Sequence, residues 1–220
     1  CLPRSVDCGD VEAGPDDAVA FAVSDATPGK APRKRSREKK QRPLRLFVAV
    51  YPPPELAAAM QAASDAPGLP PHRAVPVEQI HLTLLFIGDT DPKALDRAKE
   101  SVGLAAKGIE AFELTPTRLI SLPEKKPPRL IAAETDAPPP LLELHRRLAR
   151  SLLPSPRKDP ADRYRPHMTL RRFRDAAAGF RIDPALDVEP FSVDRIWLMR
   201  SVLRPEGAEH REVLAVPLGL

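Results

Sequence analysis

A five-residue pattern written twice, Ile80-His81-Leu82-Thr83-Leu84 and Pro166-His167-Met168-Thr169-Leu170, constrains the fold of this chain more than any other feature. Five histidines and seven threonines in 220 residues would give about 0.16 His-x-Thr triplets by chance, and two copies each followed by Leu are a coincidence on the order of one in several thousand. Both copies lie in segments that read as strands, where residues i and i+2 share a face. Each copy therefore shows His and Thr to one side and two apolar residues to the other. Leu82/Leu84 and Met168/Leu170 belong in a core, while His81/Thr83 and His167/Thr169 face a groove. With the two strands about a local twofold axis, that groove carries two imidazoles across a gap and a hydroxyl beside each.

The surrounding pattern predicts an α+β fold. An apolar run of strand length starts at Leu44 and stops at Pro52-Pro53-Pro54, and the folded body is read as 43–220. A short helix is expected over 55–64, a strand over 79–88 and a longer helix over 91–107 opened by Asp91-Pro92. Strands follow at 112–121 and 129–135. Leu141, Leu144, Leu148 and Leu152 stand at helical spacing, which predicts an amphipathic helix over 141–153. Further strands are expected around 167–170, over 191–203 and over 212–218. This order lacks the regular alternation of a doubly wound sheet, and no glycine-rich phosphate loop is present. The 28 prolines cluster in connections and helix starts.

Residues 1–42 show no hydrophobic period. An acidic, small-residue stretch gives way after Asp25 to the basic run ending at Arg42, and the segment reads as a disordered tail, more a solvated leader than an RNA-binding arm. It holds nine of the Lys/Arg and seven of the Asp/Glu, leaving 25 basic and 23 acidic residues in the body. A pI near 9.2 therefore does not describe a duplex-gripping surface, and nucleic-acid contact is expected in one cleft only. Both cysteines, Cys1 and Cys8, precede the body, so neither a disulfide framework nor a thiolate metal site is expected there, which suits a cytoplasmic protein. No membrane span or signal peptide is visible. The opening on Cys1 rather than Met reads as a fragment or an upstream translation start.

Two histidines with threonines in phase suit phosphodiester hydrolysis. Imidazole titrates near neutrality, so one ring can take a proton from water while the other gives one to the leaving oxygen. The hydroxyls of Thr83 and Thr169 can donate to the non-bridging oxygens. The scheme needs no metal or other cofactor, and His72, His145 and His210 have no partners at ligand spacing. A single strand histidine is better explained by core hydrogen bonds, a reading that the in-phase repeat disfavours.

These residues resemble the two-histidine phosphoesterase superfamily, and within it the RNA 2′,3′-cyclic phosphodiesterases, or 2′-5′ RNA ligase-like proteins. The likeness spans roughly 44–220. It rests on Arg45-Leu-Phe-Val-Ala-Val50, His81-Leu-Thr-Leu-Leu-Phe-Ile-Gly88, Arg165-Pro-His-Met-Thr-Leu-Arg-Arg172 and Ile196-Trp-Leu-Met-Arg-Ser201 with Val216-Pro-Leu218. It implies a bilobal α+β fold with two related lobes, antiparallel strands lining a central cleft and helices outside. It also implies that His81 donates and His167 accepts a proton as a 2′,3′-cyclic phosphate opens to a 2′-phosphomonoester, on RNA 3′ ends or nucleotides and in a monomer. An arginine five positions after the second histidine maps to Arg172, although strict strand alternation would turn Arg171 to the cleft, so a bend after Leu170 is required. Where relatives tend to carry a C-terminal tyrosine this chain has His210-Arg211, and around Ala74 it lacks their aromatic. Ligation by the reverse reaction and non-catalytic binding of an RNA end are the alternatives.

Overall fold

The computed structural model describes residues 42–153, 163–175, 177–204 and 207–219; the tail expected over 1–42 lies outside it except for Arg42. The strands among the described residues are β1 (Leu44–Val50), β2 (His72–Ala74), β3 (Leu82–Thr90), β4 (Phe112–Leu114), β5 (Pro116–Leu122), β6 (Leu130–Thr135), β7 (His167–Phe173), β8 (Phe191–Val193), β9 (Arg195–Arg204) and β10 (Gly207–Pro217). The helices are α1 (Pro54–Ala63), α2 (Leu95–Ala106) and α3 (Pro139–Leu152). The fold is α+β and its sheets are antiparallel, as expected.

One large sheet runs in the order β10-β9-β1-β3-β7-β6-β5, with β2 against β7, and β4 pairs with β8 in a separate ribbon. Its two halves meet through β2, paired with β7 over His72–Ala74, and through one register pair of β3 with β7, Leu82 opposite Met168. These are the middle residues of the two motifs, so the local twofold passes between them. Each half repeats one unit: a strand, a proline-started helix, then a motif strand. In the first half the unit is β1-α1-β3 and in the second β6-α3-β7. The helices cross over, α1 packing by β7 and α3 by β3.

Alternation places the core where the sequence pattern does. Leu46, Val48 and Val50 of β1, Leu82 and Leu84 of β3, and Met168 and Leu170 of β7 are buried together with Leu141, Leu144 and Leu148 of α3. Burial of each such side chain is worth about 1.5–3 kcal/mol. Pro54 occupies the first turn of α1, where a missing N–H costs nothing.

The boundaries differ from expectation at several points. The strand expected over 79–88 begins only at Leu82, behind a 3-10 turn at Val77–Gln79 closed by Gln79 N–H to Pro76 O (2.8 Å) and Ile80 N–H to Val77 O (3.1 Å). His81 therefore stands at the entry to β3. The helix expected from Asp91 opens with a 3-10 turn at Pro92–Ala94, because the Asp91 carboxylate accepts from Lys93 N–H (2.9 Å). The strand expected over 112–121 breaks at Thr115, whose N–H and carbonyl both turn to Asp136 (2.8 and 2.9 Å), so β4 pairs with β8 instead of continuing into β5. The strand expected over 191–203 likewise breaks at Asp194, whose carbonyl accepts from Leu218 N–H (2.7 Å). Strand β10 starts five residues before the expected one, and the short β2 has no period long enough to be read.

Candidate active site

The entry to β3 and the start of β7 bring His81, Thr83, His167, Thr169 and Arg172 to one cavity of about 120 Å³, walled further by Arg73, Ala208 and His210. Antiparallel register centred on Leu82 and Met168 sets His81 across from Thr169 and Thr83 across from His167. Each imidazole thus has its own threonine two residues on and the other motif's threonine opposite.

The two rings are held alike. His81 Nδ1–H donates to Gln79 O (2.6 Å) and His167 Nδ1–H to Arg165 O (2.8 Å), in both cases the residue two positions earlier. A carbonyl can only accept, so Nδ1 carries the proton and Nε2 is left for the cavity. Arg165 is itself fixed, its guanidinium bonding to Glu134 and to Glu124 (2.6 Å to the latter). Glu134 is the register partner of His167 on β6 and also takes Arg118 Nε–H (2.6 Å), so a fan of ion pairs steadies the second motif.

A bulge follows each motif at its leucine. Between β1 and β3 the register steps from Val48/Leu85 to Ala49/Thr83, leaving Leu84 extra, and between β6 and β7 it steps from Ile131/Arg171 to Ala132/Thr169, leaving Leu170 extra. Bulges re-aim the side chains beyond them. The bend required after Leu170 is therefore present, and it turns Arg172 to the cavity and Arg171 away from it. Arg171, 8 % exposed, donates to Ser64 Oγ (2.9 Å), His72 Nε2 (2.9 Å) and Gln61 O (3.2 Å), tying α1 and β2 to β7. Burial, and then the charge of Arg73, lower the pKa of Arg172.

Outward-facing backbone at the bulges is also satisfied. Val75 N–H donates to Leu170 O (2.9 Å). In the first half His145 Nδ1–H donates to Leu84 O (2.7 Å) and the Tyr164 hydroxyl to Thr83 O (3.0 Å). The rings of His145 and Tyr164 stack with centroids 4.0 Å apart and planes at 9°. Tyr164 lies three residues before His167, so it anchors one motif's lead-in to the other motif's backbone. Burial raises the pKa of Tyr164, and its hydroxyl stays a donor.

His81 is packed among Phe47 (5.1 Å between centroids), Tyr51 (5.4 Å) and His210 (5.1 Å). That burial, opposed by the Gln79 hydrogen bond and reinforced by nearby positive charge, pushes its pKa down to about 4. His81 is thus neutral at pH 7 before any anion binds. Burial also lowers His210, with Arg172 adding to the effect. His210 belongs to the site although the sequence pattern did not select it. It lies on β10 with its edge toward Phe47 (4.9 Å), and its Nδ1 is buried without a hydrogen-bond partner. The only sequence signal was its place where relatives tend to carry tyrosine. Ala74, at the other departure, lines a second cavity of about 330 Å³ that shares Arg73, Pro76, Gln79 and Ala208 with the first. Gly207, at φ +143°, lets the β9–β10 hairpin approach Arg73 there; an added Cβ would meet the guanidinium at 2.9 Å.

Among the described residues no group of three His, Cys, Asp or Glu is placed to hold a metal ion, and no helix is long and apolar enough to cross a membrane.

Comparison with known proteins agrees with this geometry. The sequence profile of the 2′-5′ RNA ligase superfamily matches residues 52–204, a span that includes both motifs. An RNA 2′,3′-cyclic phosphodiesterase of Thermus thermophilus is 30% identical over 176 residues, covering 74% of this chain and 85% of that one. A solved structure from the same organism superposes with a TM-score of 0.63 at 28% identity, covering 79% of this chain and 97% of that one. Escherichia coli LigT, solved with phosphate, shares the fold at a TM-score of 0.64 and 22% identity, covering 81% and 99%. A profile that covers most of the chain and both motifs, with the fold shared over 79% of it, establishes that this chain belongs to the 2′-5′ RNA ligase superfamily of phosphoesterases.

Proposed function

We propose that the chain hydrolyses 2′,3′-cyclic phosphates at RNA 3′ ends or on nucleotides to 2′-phosphomonoesters, using His81 and His167 as acid and base. The observation that carries this reading is the pair of imidazoles related by a local twofold, each with Nδ1–H fixed on a carbonyl and Nε2 left to one small cavity. In-line displacement at phosphorus needs proton transfer on two opposite sides, which such a pair supplies. Water attacks phosphorus and gives its proton to His167 Nε2; the bond to the 3′ oxygen breaks and that oxygen takes a proton from His81 Nε2. Thr83, Thr169 and Arg172 donate to the non-bridging oxygens, where charge accumulates. His81 takes up its donor proton from solvent when the substrate binds: an anionic diester beside the ring supplies the countercharge that its aromatic surroundings lack and raises its pKa. The Thermus relative is named for this activity, and LigT has been solved with 3′-AMP. One chain carries both histidines, so a monomer suffices.

The test is kcat/KM on a 2′,3′-cyclic nucleotide, in chelator, for His81→Ala and His167→Ala, each expected to lose roughly 10²–10⁴-fold. The double variant should be little worse than the poorer single one, because groups acting as a unit are not additive. A diester with a p-nitrophenolate leaving group needs no proton there, so it should restore turnover to the His81 variant and not to the His167 variant. Near-normal turnover of the cyclic nucleotide by either folded variant, or loss of wild-type activity in chelator with recovery on Zn²⁺, sinks the reading.

A further inference from the structure

The cavity that holds the histidines measures about 120 Å³, so a polymeric substrate extends beyond it, over the adjoining cavity at Arg73 and Ala74 or over the sheet surface on the other side. Among the described residues two large apolar side chains stand exposed on that face, Leu203 on β9 and Phe86 on β3, and of the two only Phe86 carries a ring on which a base can stack. On β3 the next side chain after Thr83 to emerge on the cleft face is Phe86, since the Leu84 bulge sends both Leu84 and Leu85 into the core. Its register partner on β1 is Phe47, the ring packed against His81 and His210. Phe86 is nevertheless 49 % exposed. Arg45, two residues before Phe47 and on the same face, lays its guanidinium over the Phe86 ring at 5.0 Å from the centroid. The local twofold that relates the motifs also relates Phe86 to Arg172, each five residues beyond its histidine. One flank of the cleft therefore ends in a phosphate-binding cation and the other in a half-exposed aromatic ring with a cation over it.

We propose, resting on the hydrolase reading above, that Phe86 and Arg45 form a stacking platform for single-stranded RNA leading into the reacting end, so that the preferred substrate is an oligonucleotide rather than a mononucleotide. An exposed aromatic ring beside a guanidinium is the chemistry that single strands use: the ring stacks on any base, and arginine stacks or pairs with phosphate. On the cleft face of β3 Phe86 follows Thr83, which lines the catalytic cavity, and that sets the side from which a strand would come. A second copy of the chain is the competing occupant of an exposed ring.

The experiment compares kcat/KM for a 2′,3′-cyclic mononucleotide and for a short oligoribonucleotide ending in a 2′,3′-cyclic phosphate. Phe86→Leu keeps the apolar volume and removes the π face; it should lower the oligonucleotide value by roughly 5–100-fold and leave the mononucleotide within about twofold. Phe86→Tyr should retain both values, and Arg45→Gln should reduce only the oligonucleotide and flatten its salt dependence. Anisotropy of a labelled oligonucleotide carrying a 2′-phosphate end separates this inference from the hydrolase reading. Binding by wild type that weakens in Phe86→Leu, without turnover of any substrate, keeps the platform and removes the hydrolase. Normal mononucleotide turnover with no oligonucleotide preference lost in Phe86→Leu keeps the hydrolase and overturns the platform. A self-associating wild type that becomes monomeric in Phe86→Leu, with RNA kinetics unchanged, overturns it in favour of the second copy.

Discussion

Replacing Tyr164 by Phe removes one oxygen atom from the seam between the two halves and nothing from the cavity. The hydroxyl donates to the Thr83 carbonyl at 3.0 Å from a segment that leads into His167, and β3 itself meets β7 through the single Leu82/Met168 register pair. Deleting the donor leaves a carbonyl in apolar surroundings short of a partner, at a cost of about 1–3 kcal/mol. For a domain of this size each kcal/mol lowers Tm by roughly 2–4 °C. The stack on His145 remains available to phenylalanine, so the ring should stay in place while the Thr83 peptide relaxes. A displacement of about 1 Å at a reacting group can cost up to roughly 10²-fold in rate, so kcat should fall well beyond what the stability loss explains, with KM changing less. Thermal melts with steady-state kinetics on a cyclic nucleotide measure both. A variant that loses the expected stability but turns over at the wild-type kcat would refute the claim that this bond sets the spacing of the motifs.

The adjacent arginines should separate cleanly: Arg172→Ala should cost roughly 10–100-fold in kcat/KM with stability little changed, as befits a charged hydrogen bond to phosphate. Arg171→Met should cost about 1–3 kcal/mol of stability in urea melts, by taking the guanidinium donor from Ser64 Oγ, His72 Nε2 and Gln61 O. Acid should act through His81. Its folded pKa of about 4 lies below the unfolded value, so between about pH 6.5 and 4 the unfolded chain holds a proton that the folded chain refuses, and stability falls with pH across that window. Urea melts from pH 7 to 4.5 should show a shallower decline in His81→Asn than in wild type. Leu144→Ala, under the motif strands, should cost about 2–5 kcal/mol in the same assay.

The candidate site was legible because its residues sit on alternating strands: His81, Thr83, His167 and Thr169 share a face by period two alone, as the buried Leu82 and Met168 between them share the other. Arg172 was legible only through the family resemblance, since alternation chose Arg171. The bulge that corrects the phase has no side-chain signature of its own, because Leu170 would be buried with or without it. His210 escaped because it reaches the cavity from a strand far along the chain, through pairing that no local pattern encodes. The break at Thr115 was hidden for a similar reason, its cause being a carboxylate at Asp136 that closes the turn from outside the segment. The stacked pair of His145 and Tyr164 is another such case: each looks like an ordinary helix or loop residue, and only the fold sets them against the Thr83 and Leu84 carbonyls.

The strand order has a consequence for how the chain acquires its activity. The half built from β5, β6 and β7 comes from one continuous stretch in the middle of the sequence, so it can pair as soon as that stretch exists. The half that holds His81 is assembled from the two extremes, β1 and β3 meeting β9 and β10. Pairing over such separations pays its loop-closure entropy late. During synthesis Phe47 and His81 must wait, with an open strand edge, for Met199 and His210 to emerge. The packing around His81 is therefore completed only after both motifs have been made, and a chain stopped short of β9 would carry both motifs without the strands that enclose the first.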